Sequence, residues 1–213
     1  GKDSVRDRII LIRTPRNGQE RRLLICFTSE LPHALCFCDY DLSGGLCSLV
    51  SAEDLRDFYY SFRVTAERAR SNATQGTFPL KIFRGTKAYA RFPCKHPSAS
   101  DDTKVTALLN TLGQGDGGAP DYAEESHLLM GLSCGAFHLK KLMAYRRPVP
   151  RSRHKHGCMM DDVVQTLDVP LSLISSFVGT EREEPLKDSD VVSMHRMVEI
   201  YHKNLLVPHE GKR

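Results

Sequence analysis

The chain has 213 residues, 40% of them hydrophobic and 26% charged, with a formal net charge of +4. That length buries a real core in one large domain or two interleaved smaller ones, and the composition is ordinary for a soluble globular protein. No run of about eighteen apolar residues is present, which excludes a membrane-spanning helix, and the polar start carries no secretory leader pattern.

The seven cysteines show no small-domain disulfide spacing, which points to a reducing, intracellular setting. A first residue that is not Met is expected for a piece of a longer product. Charge is unevenly placed. Lys2, Arg6, Arg8, Arg13, Arg16, Arg21 and Arg22 open the chain, and Lys140, Lys141, Arg146, Arg147, Arg151, Arg153 and Lys155 fall in a stretch from Ser126 to Met160 without Asp or Glu. Such runs suit a polyanion, because each neutralised phosphate releases counterions. A solvated charged face is the competing reading of either run alone.

In chain order, Arg8-Ile-Ile-Leu-Ile-Arg13 reads as a strand closed by the turn Thr14-Pro-Arg-Asn-Gly18. Leu23-Leu-Ile-Cys-Phe27 and Leu46-Cys-Ser-Leu-Val50 are further apolar runs. Ser51-Ala-Glu-Asp54 spells a capping box, so the pattern starts a helix at Ser51. A helix is predicted over 64–73, and strands over 78–83, weakened by Pro79, and over 88–92. Residues 113–120, with four glycines, read as a mobile connection. Residues 126–145 read as a helix broken near Gly131 and Gly135, ended by Pro148 and Pro150. Asp161-Asp162 stands between two apolar runs, and 189–204 is an amphipathic helix by the spacing of Val191, Val192, Met194, Met197, Val198 and Tyr201. There is no internal repeat.

The chemistry-bearing residues are acidic. Adjacent carboxylates on a flat strand face opposite ways, but at the tip of a hairpin Asp161 and Asp162 can both reach one cation. Hard divalent ions favour carboxylate oxygens, and a pair of them stabilises the attacking and leaving oxygens of phosphoryl transfer. A further carboxylate could come from Asp54, at the end of the 46–50 run. The ordinary alternatives are an Asp-rich turn and acidic residues at a helix N-terminus.

Asp54-Leu-Arg-Asp-Phe-Tyr59 resembles the first palm motif of reverse transcriptases, and Met159-Met-Asp161-Asp162-Val-Val164 resembles their Asp-Asp hairpin. Leu128-Leu-Met-Gly131-Leu-Ser-Cys-Gly135-Ala-Phe137 is similar to the family's glycine-bearing motif, and residues 8–17 to its fingers segment. The four occur in the family's order, with the flavour of a divergent retrotransposon enzyme. The resemblance implies an α+β right-hand polymerase fold. Its palm would be a ferredoxin-like antiparallel sheet with helices on one face, joined to an interrupted fingers subdomain. Residues 1–30 would be fingers, 31–62 palm with Asp54, 63–130 fingers again, and 131–213 palm with Asp161 and Asp162, without thumb or ribonuclease H.

It further implies that Asp54, Asp161, Asp162 and the carbonyl of Leu55 hold two magnesium (or manganese) ions. Arg8, Leu55, Arg56, Asp57, Phe58, Tyr59 and Gly131 would form the nucleotide site. Arg8 would neutralise the triphosphate, Tyr59 would exclude a 2′-hydroxyl, and Gly131 would allow close backbone approach. Lys212 would assist leaving-group protonation. The partners implied are an RNA template, a DNA primer, deoxynucleoside triphosphates and the thumb and ribonuclease H portion of a polyprotein, with no membrane.

The chain departs from the family pattern where Ile12 stands for a usual acidic residue, near Thr14 for a usual arginine, and before the Asp-Asp pair, where Cys158 or Met159 replaces a frequent aromatic. Those departures leave room for a degenerate palm that only binds nucleic acid. A viral RNA-dependent RNA polymerase palm shares the Asp-Asp hairpin, but Tyr59 is a bulky gate for ribonucleotides. Other constellations are weaker. His154, His156 and Cys158, with Cys94 and His96, lack the paired cysteine spacing of structural zinc. Cys36 and Cys38 read as packing residues, Ser133-Cys134 with His138 lacks an orienting third group, and Gln114-Gly-Asp-Gly-Gly118 lacks the Lys-Ser/Thr ending of a P-loop.

Overall fold

The structure is a computed structural model that describes residues 12–13, 17–18, 31–32, 34–176 and 189–209. The expected strand at 23–27, most of the one at 8–13, and the site residues Arg8 and Lys212 lie outside the described residues. The chain divides into two compact units, Phe62–Leu112 and a larger one made of Gly1–Ser61 with Gly113–Arg213.

In the larger unit, β1 (Leu46–Arg56) is followed by the single turn α1 (Phe58–Ser61). The smaller unit then contributes α2 (Ala66–Ser71), β2 (Phe78–Pro79), α3 (Lys87–Lys95) and β3 (Lys104–Val105). The larger unit resumes with α4 (Ala119–Ser133), β4 (His154–Met159), β5 (Asp162–Pro170), α5 (Ser189–Lys203) and β6 (Val207–Pro208). Its four strands form one antiparallel sheet in the order β4-β5-β1-β6, and β2 pairs with β3 in a separate ribbon. The molecule is thus α+β, with an antiparallel sheet and helices. Among the described residues no helix is long and apolar enough to cross a membrane.

Strand alternation sorts the sheet into two faces. Cys158, His156, Val163 and Gln165 are buried on the face that α4 and α5 pack against. Here the Phe137 ring, just beyond α4, stacks on His156 with centroids 4.8 Å apart. On the other face Tyr40 shares a hydrogen bond of 2.7 Å with Thr166, and the Lys155 ammonium lies 4.6 Å above the Tyr40 ring. Lys155 also makes a buried ion pair with Asp168. In α5, Asp190, Ser193, Met197 and Tyr201 are the buried stripe at helical spacing.

Several local expectations are corrected. The helix expected at Ser51 is absent, because β1 continues to Arg56. A capping box contributes about 1 kcal/mol, less than the continuous pairing of β1 with β5 from Leu46–Pro170 to Asp54–Asp162. Residues 88–92 are helix rather than strand: Thr86 caps α3 by accepting the Tyr89 N–H at 3.1 Å. The strand over 78–83 shrinks to Phe78–Pro79, after which a tight turn follows. The helix over 126–145 instead spans Ala119–Ser133 and stops before Gly135, whose φ is +71°. The amphipathic helix near the C-terminus stands where its spacing puts it.

Candidate active site

Register positions the carboxylates. Asp54 of β1 is the cross-strand partner of Asp162 of β5, and the Leu55 N–H donates to the Asp161 carbonyl at 3.0 Å. Directly opposed residues of an antiparallel pair share a face, and two like charges there are destabilising. Asp54 is only 7% exposed, a burial that carboxylates seldom have. The donor set is oxygen only: three carboxylates and the backbone of Leu55, the chemistry that suits a hard divalent cation. Among the described residues no three His, Cys, Asp or Glu side chains already close on a common point. What the backbone shows is proximity in register, through the Asp54–Asp162 pair and the Leu55 N–H on the Asp161 carbonyl.

Asp161 sits at the hairpin tip. The last pair of the β4–β5 ladder is Met159 with Asp162, which leaves Met160 and Asp161 as a two-residue turn. Met160 has φ of +55°, a conformation that costs a side-chain-bearing residue about 1–2 kcal/mol. Asp57, just after β1, has φ of +54° and turns the chain into α1.

The other expected site residues separate into core and rim. Leu55 and Phe58 are each 2% exposed, and the Phe58 ring lies 5.4 Å from that of His127. Arg56 and Asp57 are exposed and pair loosely with each other at 3.6 Å. Tyr59 is half-buried and donates to the Met160 sulfur at 3.1 Å. Burial first, then the Asp161 and Glu124 charges, push its hydroxyl up to about 12. Gly131 lies inside α4, where a Cβ would meet the Phe137 ring at 2.1 Å. The close approach that glycine allows is taken up by that ring.

A cleft of about 250 Å³ opens beside Tyr59, lined by Gly113, Gln114, Gly115, Asp116, Ala119 and Pro120. The loop that forms its wall is held by contacts from Asn17 and Arg13. Asn17 donates to the Gly115 carbonyl at 2.9 Å and accepts from the Gly117 N–H at 3.0 Å, while Arg13 pairs with buried Asp116 at 3.0 Å. A Cβ at Gly117 would stand 2.9 Å from the Asn17 side chain, which would have to shift to make room. This wall was missed in the sequence because its latches are some hundred residues away. The signal that could have marked it is a glycine cluster running into a proline at the start of a helix, a close backbone approach ahead of an N-terminus.

Other candidates are committed elsewhere. His154 bonds Gln165 at 2.7 Å, and His156 contacts the backbone of His138 at 2.9 Å. Burial pushes the His156 ring down to about 3, as a packed neutral imidazole requires. Between α4 and β4, Lys140, Arg146, Arg147, Arg151 and Arg153 are exposed, whereas Lys155 of the same basic run is buried. Compared with known proteins, the chain matches no protein-family model and no curated sequence.

Proposed function

We propose that the chain is the fingers-and-palm core of a reverse transcriptase, an RNA-directed DNA polymerase of a retroelement, extending a primer 3′ end with deoxynucleotides. The observation that carries this reading is the register: Asp54 directly across from Asp162, with Asp161 beside them at a hairpin tip. The sheet bears helices on one face, as a polymerase palm does. The smaller unit, Phe62–Leu112, interrupts the larger one in sequence, as an interrupted fingers region would.

Asp54, Asp161 and Asp162, with the Leu55 carbonyl, are the residues that would hold the two divalent cations. When bound, magnesium or manganese supplies charge neutralisation at the reacting phosphate. The chain's own residues bind and orient. The cleft beside Tyr59 receives the sugar of the incoming nucleotide, with the Tyr59 ring against its 2′ position. The latched Gly113–Pro120 wall presents backbone rather than side chains to it, which permits close approach. The exposed cations Arg146, Arg151 and Arg153 attract the polyanionic template and primer.

The test is primer extension on an RNA template with deoxynucleotides and magnesium or manganese, beside a doubly substituted Asp161→Asn/Asp162→Asn chain. Incorporation is expected in the parent and none in the substituted protein. Tyr59→Ala should admit ribonucleotides; unchanged selectivity would point to a ribonucleotide-using palm. Metal-independent nucleic-acid binding without incorporation would instead mark a degenerate palm.

A further inference from the structure

Met160 is held more tightly than a turn residue needs to be. The first central position of a two-residue hairpin turn with positive φ ordinarily takes glycine, yet here it is methionine at φ +55°. Both of its backbone polar groups are occupied by one helix. Its N–H donates to Glu124 Oε2 at 2.6 Å, and its carbonyl accepts from His127 Nδ1 at 2.7 Å. Glu124 and His127 stand at i and i+3 on the buried stripe of α4, so they present side by side.

His127 is itself fixed. A carbonyl only accepts, so Nδ1 carries the proton, and the neutral ring offers Nε2 as an acceptor. The Tyr201 hydroxyl of α5 lies 2.5 Å from that Nε2 and donates to it. The Phe58 and Tyr201 rings flank the imidazole with centroids 5.4 Å away in each case. The Met160 sulfur closes the set by accepting from Tyr59 at 3.1 Å.

We infer that Glu124 and His127 are positioning residues that clamp Met160 and so set the height and direction of Asp161 and Asp162 at the hairpin tip. A glycine in the turn would leave that tip free to sample several conformations; a methionine held at both backbone groups leaves it one. The Tyr59 hydroxyl on the Met160 sulfur ties the tip to one side of the cleft as well. Its catalytic consequence rests on the polymerase reading; its geometry does not.

The experiment compares the full chain with Glu124→Ala, His127→Phe and the isosteric Glu124→Gln. Amide hydrogen exchange is read at Met160 and, as an internal reference, at Leu167 of β5. In Glu124→Ala, Met160 should exchange at least about tenfold faster while Leu167 stays near its parent rate, the loss of one hydrogen bond. Glu124→Gln, which keeps an acceptor, should restore most of the protection. Equal Met160 exchange in parent and Glu124→Ala overturns the clamp. If Glu124→Ala and His127→Phe do not fold, Glu124→Gln still decides: Met160 exchange as fast as an exposed amide in this folded variant overturns the clamp, and retained protection supports it.

Primer extension is the second readout. Glu124→Ala and His127→Phe should lower kcat about tenfold to a hundredfold with the nucleotide KM within about threefold, because a small displacement of the reacting groups has effects of that size. Glu124→Gln should recover most of kcat. Unchanged kcat with a released Met160 amide overturns the positioning role. If the parent extends no primer, the polymerase reading falls, and Met160 exchange decides the clamp by itself.

Discussion

At the scale of single residues, the glycine inside α4 serves packing. Gly131 carries the edge of the Phe137 ring, and the Phe137 N–H donates to the Gly131 carbonyl at 2.9 Å. Adding one methyl forces the ring, which itself stacks on His156, out of its place. Gly131→Ala is therefore expected to destabilise the fold by about 1–3 kcal/mol, seen as a lower urea midpoint at unchanged slope. An unchanged midpoint would mean that the ring relocates without cost. Asp54, Asp161 and Asp162 were legible as a set because their types and order are distinctive. Glu124 and His127 were not, since a Glu and a His one helical turn apart are ordinary until the strand they touch is known.

At the scale of elements, α4 shows how a helix can carry a polar stripe inward. Asp121, Glu124 and His127 are all buried on it with Leu128 and Gly131. That is why hydrophobic periodicity placed its start too late: on the first turns the buried face is made of the small Ala119 and Ala123 together with the polar Asp121 and Glu124. The stripe has a pH consequence. Burial raises Glu124 from 4.5 to about 7, partly offset by the Met160 N–H, and lowers His127 from 6.5 to about 4, partly offset by the Met160 carbonyl. His156, on β4, is lowered by burial in the same way. For the histidines the unfolded chain binds more protons, so stability falls as pH drops from 6.5 toward 4. For Glu124 the folded chain binds more protons between 4.5 and 7, so its contribution rises as pH drops through that window. Glu124→Gln removes the opposing contribution. Thermal midpoints measured between about pH 7 and pH 4.5 should fall more steeply in that variant than in the parent, whereas parallel curves would place Glu124 outside the titration. The same scale explains the strand errors: β1 overrides its capping box through pairing with β5, and α3 is helical because Thr86 caps it.

For the whole molecule, the exposed basic segment between α4 and β4 is the surface on which a polyanion is expected to lie. Binding of a primer–template should weaken with salt, and Arg151→Gln/Arg153→Gln should reduce the log–log salt slope by about 2 if both contact phosphates. Fluorescence anisotropy across a salt series checks this, and an unaltered slope would put the nucleic acid on another face. Amino-acid order by itself determined the acidic hairpin, the C-terminal helix, the absence of a long apolar span and the clustering of positive charge. Each of these is written in neighbouring residues, where periodicity and charge are visible without a fold. Only the tertiary structure decided that Asp54 stands opposite Asp162, that Asn17 and Arg13 latch the Gly113–Pro120 wall, and that α4 grips Met160. Those contacts join residues far apart in the chain, and their energy exists only once the strands have chosen a register and the helices a face.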